Sequence, residues 1–178
     1  MRLGSPPSPH PKIVKPEDMH TWRRVQVGWG KLIVQCSGCF DLIHPGHIMH
    51  LQTARSWGDV LIVSLNTDEG VTRLKGVGRP ILTLAERIVV LGGLSCVDYL
   101  TWFDDETPEQ LIHQIKPNLY VKGSEYPVER IPELAAVFQY GAFRAVPRTA
   151  HSTTDLIRTV VSKTIQKPEV FSEHRDSL

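Results

Sequence analysis

The chain has 178 residues, 41% hydrophobic and 22% charged, with twenty basic residues against nineteen acidic ones. That length supports one domain with its own core, and the net charge of +1 excludes the strong basic field of a general nucleic-acid binder. Three cysteines argue against a disulfide framework and for a reducing, cytoplasmic setting.

Residues 1–11 are rich in proline and predict a flexible tail. The domain is expected over 12–165, with a polar C-terminal tail over 166–178. Asp18–Val27 predicts a short helix, broken by Gly28 and Gly30. Lys31–Gln35 reads as a buried strand, followed by a loop holding Gly38. Pro45-Gly46 then opens a helix to about Ser56, proline being well suited to a first turn. Val60–Leu65 is a second strand. Thr67–Pro80 reads as a long polar loop with three glycines. Thr83-Leu84-Ala85-Glu86 has capping-box spacing for a helix to about Leu94. Tyr99–Phe103 is a strand, and Thr107-Pro108-Glu109-Gln110 is a second box leading a helix to Ile115. Asn118–Lys122 is a strand, Ile131–Tyr140 a helix, and Phe143–Val146 the last strand. Ser152-Thr153-Thr154-Asp155 has the spacing to cap a final helix to about Thr164. No apolar run is long enough to span a bilayer, and the N-terminus lacks the h-region of a signal peptide, so no membrane partner is expected.

Strands alternating with helices predict βαβ units, a parallel α/β sheet and right-handed crossovers. In such sheets ligands bind beyond the carboxyl ends of the strands, at the switch point. That rule selects the loops 36–47, 66–80, 122–127 and 147–154.

His44 and His47 stand out in the first of these. They lie three residues apart at the start of a helix and share one face. A helix N-terminus presents unpaired N–H groups and a partial positive charge, which attract phosphate. Two imidazoles there can donate to phosphate oxygens, while Gly38 and Gly46 allow a phosphate to approach the backbone closely. Position after a strand and before a helix lifts the pair above an isolated H-x-x-H, which is often a surface accident.

The segment Gly38-Cys39-Phe40-Asp41 followed by His44-Pro45-Gly46-His47 resembles the cytidylyltransferase-like nucleotidyltransferase superfamily. Downstream blocks resemble the adenylyltransferase domain of ADP-heptose synthases. They are Asn66-Thr67-Asp68, Arg73-Leu74-Lys75-Gly76, Arg79-Pro80, Glu86-Arg87, Val121-Lys122-Gly123-Ser124-Glu125-Tyr126 and His151-Ser152-Thr153-Thr154. The likeness spans roughly residues 12–163, opening on Lys12-Ile13-Val14. It implies a Rossmann-like, doubly wound, five-stranded parallel sheet of the H-x-G-H nucleotidyltransferase type.

It also implies a reaction in which a sugar 1-phosphate attacks the α-phosphate of ATP, giving a nucleoside-diphosphate sugar and pyrophosphate. ATP and the sugar 1-phosphate are then the partners, with Mg²⁺ carried on ATP and a homodimer as the assembly. On this resemblance His44, His47 and Lys75 are the catalytic set. Gly38, Cys39, Phe40, Asp41, Gly46, Lys122, Gly123, Ser152, Thr153 and Thr154 bind the nucleotide. Asn66, Asp68, Arg79, Glu125 and Tyr126 contact the acceptor. Asp41 is also the carboxylate expected to touch the acceptor or metal, and no resident protein-held metal is expected. Lys75 and Arg73 could instead be solvated loop charges, Arg79 and Arg87 are open to a structural reading, and Tyr126 could simply pack.

Two positions depart from the pattern. Cys36-Ser37 stands where the resembled family usually has Thr-Asn, and serine cannot donate two N–H bonds. Glu125 stands where aspartate is usual, displacing the carboxylate by about 1.5 Å. Both permit a related acceptor. Other readings follow the residues less well. Cys36-Ser37-Gly38-Cys39 has C-x-x-C spacing, but no second such pair exists for zinc, and a redox pair would open the helix directly. His44, His47 and His50 lack a convergent carboxylate set for a metal. A CTP-dependent enzyme acting on glycerol 3-phosphate shares H-x-G-H, but Ser95 occupies the place of an arginine usual there. A nucleotide-sensing or RNA-binding module would tolerate loss of either histidine.

Overall fold

The computed structural model describes residues 11–124, 126–147 and 153–166. Five parallel strands form one sheet in the order β3-β2-β1-β4-β5. They are β1 (Ile33–Gly38), β2 (Val60–Asn66), β3 (Tyr99–Phe103), β4 (Leu119–Gly123) and β5 (Ala142–Val146). Every residue of β2 is buried, as a central parallel strand covered on both faces requires. Upstream, Ile13 bridges to Leu100 of β3 in parallel, which extends that edge.

Among the described residues the α-helices are α1 (Met19–Gly28), α2 (Pro45–Arg55), α3 (Asp68–Lys75), α4 (Leu84–Gly92), α5 (Glu109–Ile115), α6 (Leu134–Val137) and α7 (Thr153–Gln166). Strand alternation divides the core. Val34, Cys36, Leu61, Val63, Leu65, Leu100 and Val121 pack on one face against Leu51 and Ala54 of α2 and Ile88 and Leu91 of α4. Ile33, Val60, Ile62 and Phe103 pack on the other against Met19 and Trp22 of α1 and Leu111 and Ile115 of α5. Tyr120 of β4 joins that second side, over Leu134 and Val137 of α6. This is the doubly wound Rossmann-like fold, and chain direction across the sheet reverses between β1 and β4. No helix of the described residues is long and apolar enough to cross a membrane.

The structure corrects several expected elements. The polar stretch after β2 contains α3, whose N-cap Thr67 accepts from the Gly70 N–H. Asp68 and Glu69 in its first turn and Arg73 and Lys75 in its last suit the helix dipole. Its glycine conceals it in sequence. A Cβ at Gly70 would meet Thr67 Oγ1 at 3.3 Å and Asn66 Cβ at 3.4 Å, so the cap would have to give by a few tenths of an ångström to admit a side chain. The helix expected over Ile131–Tyr140 shrinks to α6, because Pro132 holds Ile131 extended at φ −106°, ψ 94°. Strand β1 begins later than expected and runs on to Gly38, pairing Ser37 with Ser64 and Gly38 with Leu65. The box at Thr83 forms in full, with Glu86 answering the cap, whereas α5 starts after Pro108 with no side-chain cap.

Candidate functional site

A cleft of about 520 Å³ opens at the carboxyl ends of β1 and β4, the switch point of the sheet. Strand β1 delivers Ser37 and Gly38, the following turn Cys39 to Asp41, and α2 contributes Gly46, His47 and His50, after His44. From β4 and its loop come Lys122, Gly123 and Tyr126; from α7, Thr153, Thr154, Asp155 and Arg158. Lys75, at the end of α3, and Arg79 close the side. Among the described residues, four Lys or Arg side chains against two Asp line this cleft in a chain of almost neutral charge, a local field that favours an anion.

The two histidines are built into the start of α2. His44 is the N-cap, extended at φ −137° and ψ 167°, and its side chain accepts from the His47 N–H. The Nδ1···N distance is 3.3 Å, and a ring that accepts at Nδ1 carries its proton on Nε2. The rings of His44 and His47 stack at 3.8 Å and 20°. Phe40 lies against His47 at 5.2 Å and adopts φ 47°, rare for a residue with a side chain. A Cβ at Gly38 would come within 3.2 Å of the Phe40 ring, so the glycine makes room for the ring that backs His47. Burial, with His44 and His50 nearby, lowers the His47 pKa to about 4. The ring is therefore neutral near pH 7.

Behind this layer, Asp41 and Arg87 fix the walls. Asp41 is buried. Its Oδ2 accepts from Arg79 Nε at 2.5 Å, and its Oδ1 from the N–H groups of Ile81 and Leu82 at 2.8 and 3.0 Å. Both oxygens thus hold the 79–82 segment against the turn that follows β1. Arg87, fully buried on α4, donates to Cys39 O at 2.7 Å, Leu82 O at 3.1 Å and Asp68 Oδ1 at 2.7 Å. This resolves its open reading as structural, since one guanidinium ties the turn, the 79–82 segment and α3 together. Burial pushes the Cys39 thiol up.

Most expected site residues gather here. His44, His47, Lys75, Gly38, Cys39, Phe40, Asp41, Gly46, Lys122, Gly123, Thr153, Thr154, Arg79 and Tyr126 all line the cleft. Asn66 and Asp68 lie behind its wall. Asn66 is buried and accepts from Cys39 Sγ at 3.7 Å, and Asp68 pairs with Arg87. Ser152 and Glu125 lie outside the described residues. Thr153 Oγ1 donates to Leu42 O at 3.3 Å, which joins α7 to the loop before α2. Ser37, singled out in the sequence as a departure near the acceptor, lines the cleft, whereas sequence reasoning missed Arg158 and His50 as lining residues. The signal for His50 was present: it follows His47 by one helical turn. Glu133, buried beside Lys122, carried no motif at all.

Comparison with known proteins agrees with this geometry. The family profile described as cytidylyltransferase-like matches residues 36–163. Bifunctional protein HldE of Actinobacillus succinogenes is 47% identical over 133 residues, 74% of this chain and 28% of that protein. Bifunctional protein HldE of Pseudomonas aeruginosa strain LESB58 is 45% identical over 129 residues, 72% of this chain and 27% of that one. The chain therefore spans less than a third of the length of these relatives. Among solved structures, a lipopolysaccharide core biosynthesis protein from Thermoplasma volcanium superposes with a TM-score of 0.58 at 20% identity, covering 69% of this chain and 100% of that one. Pantoate-beta-alanine ligase from Francisella tularensis, complexed with beta-gamma ATP and beta-alanine, gives 0.58 at 16% identity over 87% and 79% of the two chains. These two likenesses speak for the fold alone.

Proposed function

The chain belongs to the cytidylyltransferase-like family, and from that premise we propose that it transfers AMP from ATP to a sugar 1-phosphate, releasing pyrophosphate. The observation that carries this reading is the stacked His44–His47 pair at the N-terminus of α2, inside a cationic cleft at the sheet's switch point. The likeness to the adenylyltransferase part of HldE-type proteins supports ATP and a heptose 1-phosphate-like acceptor.

A phosphate oxygen of the sugar 1-phosphate attacks the α-phosphorus in line. The new P–O bond forms as the bond to the α,β-bridging oxygen breaks, and that oxygen leaves with the pyrophosphate. The protein's part is to position the reactants and stabilise the charge that develops. His47 is neutral and donates a hydrogen bond without adding fixed charge. His44, with its N–H on Nε2, and the Gly46 N–H at the start of α2 hold the triphosphate. Lys75 and Arg79 approach from the α3 side, and Thr153 and Thr154 offer hydroxyls at the start of α7. Both oxygens of Asp41 are engaged by Arg79, Ile81 and Leu82, so in this proposal Mg²⁺ enters on the triphosphate, whose charge it screens. Tyr126 flanks the acceptor side, and Lys122 the nucleotide. A cytoplasmic homodimer completes the proposal.

A panel of ATP and CTP against heptose 1-phosphates, other sugar 1-phosphates and glycerol 3-phosphate, read by pyrophosphate release, tests it. ATP with a sugar 1-phosphate is expected to be fastest. Preference for CTP with glycerol 3-phosphate would replace it with the alcohol-phosphate reading.

A further inference from the structure

Ser37 sits at the end of β1 with its side chain on the cleft. The β1–β4 register pairs Gln35 with Tyr120 and Cys36 with Val121, which puts Ser37, Tyr120 and Lys122 on one face of the sheet. On that face lies the buried carboxylate of Glu133, just before α6. Four groups form a chain. Lys122 Nζ closes on Glu133 Oε1. Tyr120 OH donates to the same Oε1 at 2.8 Å. Ser37 Oγ meets Tyr120 OH.

The direction of every bond in this chain is fixed by donor counting. An ammonium has donors only, so Glu133 Oε1 is an acceptor. Tyr120 must then spend its one proton on Glu133. Burial first, then the Glu133 charge, push the Tyr120 hydroxyl well above its usual pKa, so that proton stays in place. The tyrosine oxygen is left only with lone pairs, and Ser37 must donate to it. With its O–H directed at Tyr120, Ser37 Oγ presents lone pairs alone to the cleft. A phosphate oxygen there would face repulsion. A hydroxyl would be bound.

We propose that Ser37 Oγ is a specificity contact that accepts a hydrogen bond from a sugar hydroxyl of the bound ligand, with Tyr120 and Glu133 as positioning residues that hold it in the acceptor role. This rests on the nucleotidyl-transfer reading above and deepens it. Two sugars enter such a site, the acceptor's and the ribose of ATP, and the same chemistry fits either.

The test measures kcat/KM by pyrophosphate release with two sets of substrates. One set is the best acceptor and its singly deoxygenated analogues; the other is ATP, 2′-deoxy-ATP and 3′-deoxy-ATP. In the wild type, removal of one hydroxyl in one set is expected to cost about tenfold, the worth of a hydrogen bond that leaves its partner unpaired. Ser37→Ala brings that ratio close to one, because the acceptor atom is gone. Tyr120→Phe lowers it as well, because the serine proton is released and the oxygen is no longer held as an acceptor, while the Lys122–Glu133 pair stays intact. A residue that only supports the fold would slow all substrates alike and leave the ratio unmoved. Unchanged ratios in both variants, for both sets, would overturn the role of Ser37 while leaving nucleotidyl transfer standing. A folded wild type that releases no pyrophosphate with any acceptor would overturn both.

Discussion

At the scale of single residues, His47 carries the sharpest consequence. Its folded pKa is about 4 against 6.5 for the free side chain. Between those values the unfolded chain binds the proton first, so the histidine's contribution to stability is complete above pH 6.5 and is lost as pH falls toward 4. The wild type should therefore lose stability over that window relative to His47→Gln, by about 2 kcal/mol after allowance for solvent that reaches the ring. Urea titrations of both proteins at several pH values measure the difference, and parallel curves would reject the buried neutral ring. Arg87 gives a second prediction. It is fully buried and joins Cys39, Leu82 and Asp68. Arg87→Met should destabilise the fold by about 3 kcal/mol, since three acceptors lose a charged donor at once. Thermal unfolding close to the wild type's would show that the clamp contributes little.

At the scale of elements, the 79–82 segment is held by one carboxylate. The amides of Ile81 and Leu82 both donate to Asp41 Oδ1, and Arg79 pairs with Oδ2. Asp41→Asn removes the charge that gathers these donors. Amide exchange at Ile81 and Leu82 should speed by at least about tenfold, with β2 amides unaffected. If those two amides kept wild-type protection, the latch would lie elsewhere. The same segment shows where sequence reading stops. The capping box at Thr83 was legible, because the cap and its answering glutamate are local chemistry. Helix α3 was not, because Gly70 looks like a breaker until its N–H is seen donating to the Thr67 cap. Nor was the shortening of α6, although Pro132 in the expected helix was a visible warning. The partners of Asp41 come from 38 to 41 residues away, beyond any local pattern, so its sequence reading as a ligand contact did not foresee the latch.

At the scale of the whole molecule, alternation of strands and helices was enough to give a parallel α/β sheet and to point to the loops at its carboxyl edge. The H-x-G-H segment, Lys75, Lys122 and the start of α7 come together there as that rule requires. What remained hidden were groups that act through others. Tyr120 read as a strand residue and Glu133 as a helix residue, and only the β1–β4 register and α6 together make them a chain to Ser37. Edge strand β5 depends on one close approach: a Cβ at Gly141 would lie 2.3 Å from Pro117 O and 2.4 Å from Asn118 O. Backbone cannot yield as a side chain can. Gly141→Ala is expected to cost more than about 2 kcal/mol. Equilibrium unfolding checks this, and a neutral effect would mean that β5 can shift outward freely.

The central claim is that the His44–His47 pair acts on the α-phosphate during transfer. Its most direct test is the initial rate of pyrophosphate release from ATP and a sugar 1-phosphate, compared between the wild type and a His47→Ala variant whose circular dichroism shows it folded. The predicted result is robust release by the wild type and a fall of about a hundredfold or more in the variant, the scale of losing a hydrogen-bond donor aimed at developing charge. Equal rates in the two proteins would contradict the account.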